Sequence, residues 1–323
     1  MNDTIDTPGD AGSMHATLQT AEAVLMVRPA NFAWNAETEE SNRFQRADPV
    51  LAEGAQAHAL AEFEGLVGAL RAAGVAVCTS DDEPAPQCPD AIFPNNWVSL
   101  HADGTVVLYP MLAPSRRRER RLEHLWRLEL ATGRRVRRLL DLTHYELRGQ
   151  FLEGTGSVVF DHVARVAYAA LSPRTHVAPL EELCAELGYR SCSFAAADAS
   201  GAAVYHTNVM LAIGSGFAVL ATDAVAAGAR ERVLAALRDS AREVFPIDAA
   251  EMERFAGNVL ELRADDGARV LAMSQVAAAA FGPVRLEALR GHVDRIVTAP
   301  IPTIEALGGG SVRCMLAEVF LPR

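Results

Sequence analysis

Four times, at nearly constant intervals, a polar residue able to do chemistry stands just before an apolar hairpin. A fifth such place, before the last strand, holds a lone cysteine. The positions are Asn96, Glu153, His206, Asn258 and Cys314, separated by 57, 53, 52 and 56 residues. The segments 97–108, 157–170, 208–221 and 259–272 each run apolar, turn on Gly, Asp or His, and run apolar again. Self-similarity with a period near 50 residues marks units repeated around an axis or along a line. If the units pack around an axis, their equivalent strand starts converge. A thiol, an imidazole, a carboxylate and two amides then share one spot.

The rest of the chain fits the same cycle. Helical stretches at 115–131, 179–187, 226–241 and 283–291 follow the hairpins, and each leads to a short strand. Before them come a strand at 23–29, a helix over 48–73 and a strand at 75–79. Asp48 is placed to cap that helix, with Pro49 in its first turn and Gly74 beyond its end. Strands and helices in alternation argue for an α/β class, and recurring hairpins argue for mixed sheets. Residues 1–21 are small, polar and patternless, which predicts a disordered N-terminal segment. Residues 22–323 are expected to form one domain of five ββαβ modules.

Composition removes several classes of function. Net charge is −11, which disfavours nucleic acid as a partner. All thirty basic residues are arginine, so no lysine is present for a Schiff base or a phosphate-binding loop. The five cysteines are odd in number and irregular in spacing, with no CxxC pair and no HExxH. That pattern predicts reduced thiols, no metal site and a cytoplasmic protein. The N-terminus lacks the basic and apolar regions of a signal peptide, and no apolar run reads as a membrane span. Ten arginines crowd residues 115–138. Without interleaved aromatics, they read as a solvated helix face and loop neutralised by local glutamates.

Chemistry concentrates at the module-equivalent positions. Cys314 lies in "GGGSVRCMLAE", beside Arg313 and after three glycines, where a nearby cation favours the thiolate. His206, in "YHTNVML", titrates near neutrality and suits acid–base work with that thiol. Glu153, in "FLEGTGSVVF", is a carboxylate among apolar residues and needs a partner such as an imidazole. Asn95, Asn96, Asn208 and Asn258 are amides at strand mouths.

The set "RPANF", "FPNNWVS", "FLEGTG", "YHTN" and "GGGS-RC" resembles the guanidine-modifying, or pentein, superfamily. The closest branch comprises citrulline utilisation hydrolases and arginine deiminase-related proteins. The resemblance spans about residues 24–323. It implies a five-fold pseudo-symmetric α/β propeller with a buried axial site. It further implies Cys314 as nucleophile, His206 as acid–base and Glu153 as supporting carboxylate, with no cofactor. Guanidinium-using relatives usually carry Arg-Asp where Asn95-Asn96 stands, and deiminases carry His-x-Asp where His206-Thr207-Asn208 stands. Two carboxylates have become amides, which suits a neutral ureido group better than a cation, because an amide can donate to the ureido oxygen. The expected activity is therefore hydrolysis of citrulline to ornithine, ammonia and CO2. The alternative is a deiminase, dihydrolase or amidinotransferase acting on arginine or a derivative. Asn96 and Asn208 would grip the ureido group. Arg28, Asn31, Asn95, Asn258 and Arg313 are further candidates for binding substrate. The expected partner is a small amino acid, with neither nucleic acid nor membrane, and a homodimer is a possibility the sequence leaves open.

Overall fold

The computed structural model describes residues 18–323, and within them the strands group into five three-stranded sheets. The strands are β1 (Ala23–Arg28), β2 (Ala76–Asp81), β3 (Val98–Leu100), β4 (Thr105–Leu108), β5 (Arg138–Asp141), β6 (Val159–Asp161), β7 (Val166–Leu171) and β8 (Arg190–Ala195). They continue with β9 (Leu211–Ile213), β10 (Phe217–Leu220), β11 (Glu243–Pro246), β12 (Leu260–Arg263), β13 (Arg269–Ser274), β14 (Arg295–Ala299) and β15 (Ala317–Glu318). Four sheets repeat one pattern, an antiparallel hairpin, a helical crossover and a third strand parallel to the second. Thus β3 pairs with β4 (Val98↔Leu108) and β4 with β5 (Thr105↔Arg138). The fifth sheet has the same pattern but joins the two ends of the chain. There β15 lies antiparallel to β1 (Leu25↔Ala317), and β1 lies parallel to β2. This is the mixed α/β repeat that the hairpin spacing predicts.

The first strands of successive modules touch one another around the axis: β15 meets β3, β6 meets β9, and β9 meets β12. A tight turn precedes four of these inner strands, at Pro94–Asn96, Gly154–Ser157, Thr207–Val209 and Val312–Met315. Gly257 and Asn258 lead into the remaining one. Helices cover the outside, their apolar faces set by helical periodicity. Helix Ala55–Ala72, for example, buries Ala59, Phe63, Leu66 and Leu70.

Three helices depart from the sequence reading. The expected helix over 48–73 is broken at Gly54, whose φ of 73° ends one helical run and starts the next. Asp48 still caps Pro49–Ala52 by accepting from the amides of Val50 and Leu51. The expected helix over 115–131 divides into Pro114–Arg117, which buries Arg116, and Glu123–Thr132. The helix expected at 283–291 starts at Gln275, where Ser274 caps it, and kinks at Gly282 before Pro283. Of the segment expected to be disordered, residues 1–17 lie outside the described residues. Gln19, Thr20 and Ala21 are buried, contrary to that expectation. Gln19 is tied down by bonds to the carbonyls of Phe160 (2.9 Å) and Ile213 (3.3 Å).

The turns are packed so closely around the axis that one can hold no side chain. A Cβ on Gly154, at φ 49°, would sit 2.1 Å from the carbonyl oxygen of Asn95. Gly154→Ala is expected to lower stability by more than about 2 kcal/mol, through backbone strain plus this clash. Thermal or urea unfolding measures it, and a near-neutral result would mean that adjacent turns are not in register.

Candidate active site

Glu153 lies at the centre, fully buried, where Leu152 ends the loop after β5 and Gly154 turns the chain. One carboxylate oxygen, Oε1, accepts from the backbone amide of Leu112 at 3.0 Å. The other, Oε2, faces His206 Nε2 at 2.9 Å, Arg174 Nη1 at 3.3 Å and Arg116 Nη1 at 3.8 Å. Burial works against ionisation. Arg174, the His206 hydrogen bond and Arg116 together outweigh it and hold the carboxyl well below its ordinary range.

His206 is buried beside it. Burial pushes the imidazole down to about 4, although the Glu153 bond favours its charged form. At neutral pH the ring is therefore neutral. A carboxylate only accepts, so Nε2 carries the proton and Nδ1 is left as the base. Asn96 adjoins this nitrogen. A Cβ on Gly156 would lie 2.7 Å from His206 Nδ1 and 2.5 Å from Asn96 Nδ2.

The Cys314 sulfur is held by amides. Asn258 Nδ2 lies 3.3 Å from Sγ and Asn208 Nδ2 lies 3.5 Å from it. Asn258 Nδ2 also donates to the Asn208 carbonyl at 2.9 Å, which fixes the pair. Cys314 and His206 line one small cavity but make no hydrogen bond to each other. Arg313 does not serve the thiol, contrary to expectation. It pairs with Glu318 at 3.0 Å and donates to the Leu316 carbonyl, so its charge is spent along its own strand.

Two other assignments fail for a similar reason. Arg28 sits at the end of β1, half exposed, paired with Glu64 and with Asp81 in the facing position of β2. Asn31 donates to the Pro84 carbonyl near the surface. Only the first strand of each module is axial, and β1 is the middle strand of its sheet. Asn95 is buried but bonds Thr155 Oγ1 at 3.2 Å, outside the cavity lining.

The cavity also holds groups that the sequence reading passed over. Arg116, in the arginine run, is buried: it forks onto Glu119 with two 3.0 Å contacts and donates to Asn96 Oδ1 at 2.8 Å. Asp90 lines the cavity too. Asn35 donates to its Oδ2 at 2.8 Å, while its Oδ1 has no partner. Burial raises the Asp90 carboxyl, against the pull of Arg116. Arg174 spans Glu153 and the segment above the cavity, donating to Thr38 O and Ser41 Oγ. About 10 Å³ of free space remains, room for no more than a water.

A sequence profile of the eukaryotic N,N-dimethylarginine dimethylhydrolase family matches residues 28–321. The chain belongs to that family. It is thereby a pentein-superfamily member. Among curated proteins, no sequence matches this dimethylhydrolase-family chain. In solved structures it resembles ArgZ, an arginine dihydrolase of the ornithine–ammonia cycle in cyanobacteria, with a TM-score of 0.72 at 16% identity. That likeness covers 93% of this chain and 41% of the ArgZ chain, so the chain spans about two-fifths of that relative's length. The N-terminal domain of ArgZ, in a substrate-bound structure, matches with a TM-score of 0.71 at 16% identity, covering 92% of this chain and 97% of that domain. A dimethylarginine dimethylaminohydrolase, seen as an adduct with S-methyl-L-thiocitrulline, matches with a TM-score of 0.63 at 15% identity over 92% of this chain and 98% of its own. At these identities the structural likeness is one of fold.

Two outcomes follow from the geometry. The acid limb of kcat should fall below pH 6.5, toward about 4, because a base held neutral by burial is lost only as pH drops through its lowered pKa. A limb at or above 6.5 in a pH–rate profile contradicts it. Alkylation of Cys314 by iodoacetamide should slow about tenfold in Asn258→Ala, as one hydrogen bond to the thiolate is lost. If the rate is unchanged, the amides do not stabilise the sulfur.

Proposed function

We propose that this chain is a cysteine-dependent hydrolase acting on the terminal carbon of an arginine-type side chain, with the ureido group of citrulline as its substrate. One observation carries the choice of a neutral group. The hydrogen-bond partners of Cys314 Sγ among the described residues are the amides Asn208 and Asn258, and no carboxylate reaches it. A guanidinium offers only donors and favours carboxylates, whereas a ureido group carries an acceptor oxygen that amides can serve.

In this reading Cys314 Sγ bonds to the ureido carbon while His206 Nδ1 takes the thiol proton. His206 passes that proton to the terminal nitrogen, the C–N bond breaks, and ammonia leaves. An S-carbamoyl adduct remains, still attached to the amino acid through its δ-nitrogen. Water then attacks, with His206 as base, and the C–S bond breaks to restore the thiol. The released carbamate loses CO2 and leaves ornithine. Glu153 holds His206 in the required tautomer. Asn208 and Asn258 donate to the thiolate, and Asn96 to the ureido oxygen. Asp90 Oδ1 is open to a substrate N–H. Arg174, on release from Thr38 and Ser41, suits the α-carboxylate. The small cavity means that the segment 38–45 must shift to admit an amino acid.

A second reading, hydrolysis of a guanidino substrate, is favoured by the family match and by the charge of the cluster. Asp90, Glu119 and Glu153 stand against Arg116 and Arg174, leaving an unpartnered carboxylate oxygen in the cavity. Incubation with citrulline, arginine and dimethylarginine in parallel separates the readings. One ammonia per ornithine from citrulline, abolished in Cys314→Ala, is the expected result. Two ammonia per ornithine from arginine, or citrulline plus dimethylamine from dimethylarginine, with citrulline inert, would establish the guanidino reading.

A further inference from the structure

Each inner strand follows a candidate active-site residue and four of the five lead into a hairpin turn, so the turns gather on the opposite face of the ring. There the β3–β4 turn, the β6–β7 turn and the residues after β15 enclose a second cavity of about 540 Å³. None of its lining residues belongs to the active site. Two imidazoles form its inner wall: His101, just after β3, and His162, just after β6. Each is only 7% exposed.

Both rings are half satisfied. His101 Nε2 bonds Ser99 Oγ at 2.7 Å, and His162 Nδ1 bonds the Tyr189 hydroxyl at 2.7 Å. His101 Nδ1 and His162 Nε2 have no hydrogen-bond partner among the described residues. Burial keeps both rings neutral, His101 down to about 4 and His162 to about 3. Where Ser99 and Tyr189 donate to the bonded nitrogens, the open nitrogens are N–H donors.

The wall around them is flat and aromatic. Phe320 lines the cavity 4.5 Å from the His162 ring, which Phe160 backs from outside the lining at 5.5 Å. At the rim Arg165 lies over the Tyr189 ring, 4.0 Å from its centroid. Arg165 bonds the Leu187 and Gly188 carbonyls and, among the described residues, has no carboxylate partner. Of the cavity's carboxylates, Glu22 pairs with Arg134, and Asp103 accepts from the amide and hydroxyl of Thr105. Imidazoles inside, a guanidinium at the mouth and flat apolar faces favour one kind of guest.

We propose that this cavity is a second ligand site, distinct from the active site, that binds a small aromatic carboxylate. Its ring lies against Phe320 and the imidazoles, and its carboxylate meets Arg165 and the open imidazole nitrogens. Calorimetric titration of the full chain with phenylacetate tests this. Saturable binding is expected, retained in Cys314→Ala and weaker for neutral benzyl alcohol. Arg165→Gly should weaken it about fivefold by removing the cation. Arg165 lies at φ 56°, which glycine adopts freely, so that variant keeps the fold. His162→Phe preserves the aromatic wall and should weaken binding to a similar degree. Absence of saturable binding up to millimolar phenylacetate, or binding indifferent to both variants, overturns the proposal.

Discussion

The Glu153 carboxylate is the interaction on which the rest of the site depends. A buried anion is tolerated only when its charge and its lone pairs are answered. Here the answer comes from four separate places in the chain: the Leu112 amide, Arg116, Arg174 and His206. Removing Arg116 or Arg174 leaves charge in a medium where it is poorly solvated, at a cost of about 3–5 kcal/mol. The same contacts set the chemistry. The carboxylate decides which imidazole nitrogen carries the proton, and burial decides that the ring stays neutral. The proposed catalytic geometry and the folding of the axis are thus enforced by one network.

Module repetition explains how such a network forms. Each inner strand starts at the same depth, because the pattern of hairpin, helix and parallel strand repeats with nearly constant length. Closure then comes from β15 pairing with β1, which brings residue 314 to the place where a fifth module would begin its hairpin. The turns before the strands lean on one another through Asn95 and Thr155, Asn208 and Asn258, and Asn258 and Cys314. Convergence on the axis is a consequence of equal spacing, and the side chains at the convergence point inherit burial from it.

That equality is also what made part of the site legible. Asn96, Glu153, His206, Asn258 and Cys314 could be read as a group because they occupy equivalent places, and all five are buried near the axis. Arg116, Arg174 and Asp90 occupy no repeated position. Arg116 was hidden by its neighbours, since Arg117, Arg118, Arg120 and Arg121 share its composition but are less buried. It is buried within the short helix Pro114–Arg117, and the break at 118–122 that separates this turn from the helix beyond leaves little trace in an apolar pattern. Arg28 failed for the converse reason. Its flanking motif was family-like, yet its strand is the middle one of its sheet, and its charge is met by Glu64 and Asp81. Adjacency in sequence likewise misled at Arg313, which follows the strand direction toward Glu318 while the next residue faces the axis.

The amides around Cys314 bear on substrate charge in a way that sequence comparison alone does not reach. A cationic substrate can help ionise a thiol it approaches, so an enzyme for guanidinium groups can leave that work to its ligand. A neutral substrate brings no such field, and stabilisation must come from fixed dipoles already in place. Asn258 meets this requirement, because its amide nitrogen is anchored to the Asn208 carbonyl and cannot swing away from the sulfur without losing that bond. Carboxylates at the same two positions would oppose the thiolate at close range, by about 4 kcal/mol each at 4 Å and an effective dielectric of 20. They could be tolerated only if the substrate's own positive charge offset them. In the proposed reading the amides make Cys314 independent of substrate charge, and a guanidinium entering this site would have to find its counter-charge at Asp90 instead of beside the sulfur.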